Sequence, residues 1–425
     1  MDEPHDTVRA APASPGDAGP EPQRDAGAPG AAREETPPSS PPGAEHAVLS
    51  ATGADNPSGV SATQKPLRHQ RNKNRGDKST PAYAAIDLGT NNCRLLVAQP
   101  AGGTFEVIDA FSRIVRLGEG LGNSDELSAE AMDRAVGALR ICAAKMRRRN
   151  VARARVIATQ ACRHAVNSGM FIERVARETG LELEVVTPEE EARLAVLGCT
   201  PLLDKSASRA LVFDIGGGST ELVWLDMTNI GPAGEPHVLA WASLPVGVVT
   251  LADRYDGRTL NRTGYEKMVQ EVTALLNDRP WSEEMDAQLD EAVAKGDIHL
   301  LGTSGTVTTI AGIHLGLRRY DRSKVDGTWI DFADVSAVTQ ALSLMTLEER
   351  ANVPCIGRER ADLVLAGCAI LEAIQTSWPC RRLRVADRGL REGILITLMR
   401  EDRRNQKRKR RRRRGGRKRA QQTNL

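Results

Sequence analysis

Two stretches of this chain set an aspartate, glycines and hydroxyls at the end of a short apolar run. The first is Asp87-Leu88-Gly89-Thr90-Asn91-Asn92, preceded by Tyr83-Ala84-Ala85-Ile86 and followed by Cys93-Arg94-Leu95-Leu96. The second is Asp214-Ile215-Gly216-Gly217-Gly218-Ser219-Thr220-Glu221, between Ala210-Leu211-Val212-Phe213 and Leu222-Val223-Trp224. Short apolar runs bounded by turn residues read as buried strands. Glycines at the turn let the backbone approach a ligand, and the free amides can cradle a phosphate. An aspartate at the strand end suits Mg²⁺ bound to that phosphate, which makes Asp214 the first candidate metal ligand and Asp87 the second. The two aspartates are 127 residues apart, about the size of one domain, and a duplicated phosphate-binding hairpin is far more specific than a single glycine loop.

Other residues could join that chemistry. Arg94 and Arg163 can each fork onto a phosphate. Glu190 and Glu191 follow Pro188 at a helix start, at the join between the two halves of the chain, where a carboxylate could face a cleft; a carboxylate near phosphates is expected to have a raised pKa, which suits a general base. Glu221 could hold the metal's outer shell or a water. A third glycine-hydroxyl stretch, Gly302-Thr303-Ser304-Gly305-Thr306, ends another apolar run, and Arg388 and Arg391 could extend a basic lane. His164 beside Arg163 reads as structural.

The elements needed to position these residues are visible in outline. Each half begins with a β-meander and continues with strand–loop–helix units. Helices are expected from Ser128 to Arg149, 167 to 179, 192 to 198, 264 to 277, 283 to 295, 307 to 315, 332 to 342, 346 to 350 and 358 to 377, with a last helix ending near Arg400. Glycine-hydroxyl loops at strand ends are where open α/β sheets place ligands. The expected fold is α/β: two actin-like (ribonuclease H-like) domains, 82–198 and 199–400, facing each other across a cleft with a phosphate loop on each wall. Residues 1–81, rich in Ala, Pro, Gly and Ser, read as a disordered extension.

Net charge is +3 over 425 residues, but 403–419 contain 13 Lys or Arg and no acidic residue, so the rest carries −10. The segment 401–425 reads as a disordered basic tail able to contact nucleic acid or polyphosphate without sequence preference. Aromatic residues make up 3% of the chain, which argues against base-stacking platforms. Seven scattered cysteines without a C-x-x-C pair fit reduced thiols and a cytoplasmic location. Neither a signal peptide nor a run of about 18 apolar residues is seen, so no membrane span is expected.

Six stretches, in order, resemble the exopolyphosphatase / guanosine pentaphosphatase (Ppx/GppA) family over about residues 82–400: Ala85 to Asn91, Ala158-Thr159-Gln160-Ala161-Cys162-Arg163, Glu190-Glu191-Ala192-Arg193-Leu194, Asp214 to Leu222, Gly302 to Thr306, and Gly389-Leu390-Arg391-Glu392-Gly393. The pair Glu-Glu-Ala-Arg and Asp-Ile-Gly-Gly-Gly-Ser-Thr-Glu is the most specific part; sugar kinases and chaperone ATPases lack it. The resemblance implies that the glutamate immediately before Ala-Arg, Glu191, is the catalytic base, with Glu190 its rival. It implies a catalytic set of Glu191, Arg163 and Glu221, with phosphates held by Gly89, Thr90, Asn91, Arg94, Gly216, Gly217, Gly218, Ser219, Thr220, Thr303, Ser304 and Gly305. Magnesium is the implied cofactor, on Asp214 and Asp87. The implied activity is release of terminal orthophosphate from inorganic polyphosphate, or of the γ-phosphate from guanosine pentaphosphate, a stringent-response nucleotide; a non-catalytic polyphosphate sensor is the reading from another class. A homodimer is left open. The chain departs from the family at Pro188, where a glycine is usual, and in the first loop, where Thr90, Asn91 and Asn92 stand in place of the frequent Ser, Asn and Ser. It also ends before the additional helical half of the longer relatives.

Overall fold

The computed structural model describes residues 80–422 except 232, 233 and 279, with no side chains at 123 or 407–422. The expectation of disorder for 1–81 falls, up to residue 79, outside the described residues.

Among the described residues, eleven strands form two sheets. The first uses β1 (Ala82–Leu88), β2 (Asn92–Ala101), β3 (Thr104–Ile114), β4 (Val151–Ala158) and β5 (Leu183–Val185) in the order β3-β2-β1-β4-β5. The second uses β6 (Arg209–Ile215), β7 (Thr220–Ile230), β8 (Pro236–Leu244), β9 (Ile298–Thr303), β10 (Trp329–Asp331) and β11 (Arg382–Ala386) in the order β10-β11-β9-β6-β7-β8. In each sheet an antiparallel meander is joined by its first strand to a parallel strand: β1 to β4, and β6 to β9. The duplication seen in the two loops therefore extends to the sheets, and β10 is an added edge strand.

Side-chain alternation along β1 and β6 assigns the two faces of each sheet. Ala84, Ile86 and Leu88 share a core with the helix Ala129–Arg148, while Tyr83 and Ala85 pack with Leu390, Ile394, Leu395 and Leu398 of the C-terminal helix. On β6, Phe213 and Ile215 enter the large core around Trp224 and Trp378, while Ala210 and Val212 meet Ala192, Val196 and Cys199. The two lobes thus exchange helices. The helix Pro188–Cys199, which follows sheet one in sequence, covers sheet two, and the helix that follows sheet two covers sheet one. The packing does not change hands at residue 198.

The exchanged helices cross at glycines. A Cβ on Gly198 would collide with the Gly389 carbonyl, and one on Gly393 with the Leu194 carbonyl. Thr187 caps the first helix by accepting the Glu190 N–H at 3.2 Å, and Pro188 occupies its first turn, a position where a missing N–H costs nothing.

Three expected boundaries move. The helix expected from Arg358 begins at Val364; Gly357 sits at φ 74° and residues 358–363 form turns instead. The helix expected from Val307 begins at Ser304, immediately after β9. The last helix, expected to end near Arg400 before a disordered tail, continues to Gln422. Arg, Lys and Gln are strong helix formers, and no proline follows Arg400 to stop them.

Candidate active site

The two glycine-bearing hairpins are built alike. Gly89 N–H donates to the Asn92 carbonyl at 2.9 Å, and Gly216 N–H to the Ser219 carbonyl at 3.0 Å. The segment after each third strand then ties down the loop's carbonyls. Val115 and Arg116 N–H donate to the Asn91 carbonyl and Gly118 N–H to that of Thr90; Val248 and Val249 N–H donate to the carbonyls of Gly216 and Gly217. With these carbonyls engaged, the loops are fixed, and the N–H groups of Thr90, Asn91, Gly217 and Gly218 are left without a hydrogen bond among the described residues. Four free amides at one site are the anion-binding pattern the sequence implied.

The loops face each other at van der Waals distance. A Cβ on Gly217 would lie 2.9 Å from Thr90 Cβ and 3.0 Å from Asn91 N. One on Gly218 would overlap the Gln160 side-chain oxygen and lie 2.8 Å from Thr90 Oγ1. Gln160, tied to Thr90 Oγ1 at 3.1 Å, belongs to a stretch that the sequence flagged, but no role had been assigned to it. Only the close approach of Gly218 reveals it. The cleft around the loops has a cavity volume of about 130 Å³. Its walls include Asp87, Gly89, Thr90, Asn91, Arg94, Asp214, Gly216, Gly217, Gly218, Ser219, Thr303, Ser304, Gly305 and Glu191, so most of the residues expected to bind phosphate do meet there.

Three of the expected residues stand behind the wall instead. Thr220 is buried with its hydroxyl donated to the Val246 carbonyl at 2.7 Å, which removes it from the phosphate donors. Glu221 is 3% exposed, and its Oε1 accepts from Ser219 Oγ at 2.6 Å and Ser243 Oγ at 3.1 Å. Arg163 does not line the cavity; its Nη1 donates to Glu191 Oε2 at 2.7 Å and to the Val186 carbonyl at 3.0 Å. Ser304 holds a φ of 76°. This is a strained value for a side chain with a Cβ, and it places a hydroxyl within hydrogen-bonding reach of Asp214.

The geometry separates the two glutamates. Glu190 is bound by Arg155 Nη1 at 2.9 Å and by Arg193 at 2.7 and 3.0 Å, which hold its carboxyl below the usual range against a burial penalty. Glu191, about 100° further round the helix, lines the cleft. Burial first and the charge of Glu221 second push its carboxyl well above the ordinary value, against the pull of Arg163. Burial raises Glu221 to about 7, with Asp214 adding to the effect. Asp87 is raised to about 6 by burial although Arg94 and Arg391 oppose it, and burial raises Asp214 too. Asp87 is paired across its hairpin with Arg94, and Asp214 with Glu221, so the duplicated frame carries opposite charges at equivalent positions.

Two half-buried aspartates that repel each other are a hard-oxygen donor set, and they fit Mg²⁺ held by one or two carboxylates with the remaining positions filled by water or phosphate. Among the described residues no group of three or more His, Cys, Asp or Glu could hold a metal by itself. The seven cysteines are free thiols, and no described helix is long and apolar enough to cross a membrane.

The profile of the Ppx/GppA phosphatase family matches residues 96–402. The chain belongs to this family. A crystal structure of the family member from Aquifex aeolicus is 27% identical, with a TM-score of 0.60 over 76% of this chain and 99% of that one. An exopolyphosphatase-like protein is 28% identical, with a TM-score of 0.65 over 75% of this chain and 99% of that one. An exopolyphosphatase from Cytophaga hutchinsonii, 22% identical at a TM-score of 0.66 over 75% of this chain and 97% of that one, shares the fold. Membership makes this chain a phosphatase-family hydrolase, and the sequence resemblance and the fold expectation hold.

Proposed function

We propose that the protein is an exopolyphosphatase that removes terminal orthophosphate from inorganic polyphosphate, with Glu191 as general base. The observation that carries this reading is a half-buried carboxylate of raised pKa, oriented by Arg163 at 2.7 Å, in a cleft that also holds the free amides of two facing loops. The amides of Thr90, Asn91, Gly217 and Gly218 receive the terminal phosphoryl group. Glu191 Oε takes a proton from the attacking water, and the raised pKa lets it do so near neutral pH. Arg163 fixes the carboxylate's orientation, and Glu221, from behind the wall, keeps its basicity high through like-charge repulsion. Asp87 and Asp214 would hold Mg²⁺, which supplies charge neutralisation for the phosphates.

One feature favours guanosine pentaphosphate as the second reading. Val248, Ile356, Leu363 and Val364 give one side of the cleft an apolar wall, which suits a base better than a phosphate chain. The test is phosphate release from long-chain polyphosphate, guanosine pentaphosphate and ATP with Mg²⁺, for wild type and Glu191→Gln. The variant should lose on the order of 10²-fold or more in kcat. Undiminished turnover in the variant removes Glu191 as the base, and no release by wild type from any substrate favours a sensing module.

A further inference from the structure

Arg391 and Arg388 enter from one segment, yet only one is available to a ligand. Arg388 Nε donates to Asp326 Oδ2 at 3.0 Å, and its Nη2 pairs with the same carboxylate. Arg391, in the first turn of the C-terminal helix, lines the cleft. Its neighbour Glu392 is already engaged, accepting from Gly389 N–H at 2.9 Å and Arg322 Nη2 at 2.7 Å. Neither Arg391 nor Arg94 has a hydrogen-bond or salt-bridge partner among the described residues. The two cations act on each other and are the principal opposite charges on Asp87. Arg360 also lines the cleft unpaired, but it is not among the principal charges on Asp87.

The crossed helices give the cleft its order. Gly198 meets Gly389 and Leu194 meets Gly393, so Arg391 lies beside the far half of the helix whose first turn carries Glu191. Arg94 stands across the hairpin from Asp87, with its Nη2 4.0 Å from where a Cβ on Gly305 would lie. A water activated at the Glu191 end attacks the terminal phosphorus in line, so the leaving oxygen lies on the opposite side. The new bond joins the water oxygen to that phosphorus. The bond to the bridging oxygen breaks with its electron pair on that oxygen, and the proton goes to Glu191.

We propose that Arg391, together with Arg94, binds the second phosphate of the chain, the leaving group, and neutralises the charge that grows on it. This rests on the phosphoanhydride-hydrolase reading above. Two half-buried cations with no partner among the described residues leave their donors to a ligand, and a phosphate between them gains forked, charge-assisted hydrogen bonds.

The test uses the full chain with Arg391→Gln and Arg391→Lys. Substrates are whichever phosphoanhydride the wild type turns over best, and p-nitrophenyl phosphate, whose leaving group carries no phosphate. Arg391→Gln should lower kcat on the phosphoanhydride on the order of 10²-fold with a smaller change in KM, Lys should restore part of it, and p-nitrophenyl phosphate turnover should change less than about threefold. Equal loss on both substrates, or no loss on the phosphoanhydride, overturns the assignment. Calorimetric binding of tripolyphosphate and of orthophosphate gives a readout independent of turnover. Arg391→Gln should weaken tripolyphosphate about tenfold or more and leave orthophosphate unchanged; any other pattern counts against it. A wild type that binds tripolyphosphate but hydrolyses no phosphoanhydride defeats the functional reading alone.

Discussion

Replacing Glu221 by Gln should flatten the protein's stability over a pH range in which the wild type weakens. The wild-type side chain is 3% exposed, and its Oε1 accepts two serine hydroxyls. Gln keeps an acceptor in the same place, so the change removes charge with little change in shape. Burial first, and Asp214 second, move the wild-type carboxyl from 4.5 to about 7. A folded-state value above the unfolded one means that the folded protein holds the proton longer. The group's contribution is complete below pH 4.5 and is lost as pH rises through 7. At about 1.4 kcal/mol per unit, the wild type should lose about 2.5 kcal/mol more than Glu221→Gln between pH 5 and pH 8. Urea unfolding of both proteins at several pH values in that range, without Mg²⁺, reads this difference. A constant offset between the two proteins is irrelevant; the divergence decides. Parallel curves would refute the claim that Glu221 is raised by its surroundings.

Three further outcomes follow from contacts described above or adjoining them. Gly218→Ala places a methyl against Gln160 and Thr90, so it should raise KM and lower kcat/KM by about tenfold or more while urea stability changes little, because the strain can be relieved by parting the lobes. Arg116 bridges the lobes through two 2.9 Å bonds to Asp362 and one of 3.0 Å to the Glu359 carbonyl, and its own N–H anchors the Asn91 carbonyl. Arg116→Gln and Asp362→Asn should each raise KM, and the double variant should be no worse than the worse single one; additive losses would show that the pair does not act as a unit. Truncation after Asp402 should lower the salt dependence of long polyanion binding, measured by anisotropy, and leave turnover of short substrates unchanged. An unaltered salt slope would remove the basic segment as a polyanion contact.

Much of the site was legible because its chemistry is local. An aspartate at a strand end, glycines in the turn and a hydroxyl after them occupy a few consecutive residues, and their repetition at Asp87 and Asp214 shows the duplicated frame in the sequence itself. What depends on long-range packing was not legible. The apolar stripe of Leu390, Ile394, Leu395 and Leu398 says that the last helix is buried, but not that it covers the sheet of the other lobe. Glu190 and Glu191 are equal as letters; only Arg155 and Arg193, which claim Glu190, make them different. Thr220 and Glu221 sit in the same motif as Gly217 and Gly218, but the Val246 carbonyl holds the first and the hydroxyls of Ser219 and Ser243 hold the second behind the wall. The helical course of the basic segment was concealed by its charge, which is a cue for disorder although the same residues favour a helix.

The exchange of helices between the lobes also dictates how the protein is finished during synthesis. Sheet one is complete once β5 has emerged, yet one of its faces stays bare until the helix at Leu390 arrives, roughly 200 residues later. At ribosomal rates of about 5–20 residues per second, the row of Tyr83, Ala85, Leu96 and Ala98 waits for something on the order of 10–40 seconds without its cover. The nascent first lobe is thus a half-closed body with a greasy flank. A chain shortened by premature termination before Leu390 keeps both phosphate loops but never acquires the seal, so it would be handled by the cell as misfolded material and not as a weakened enzyme.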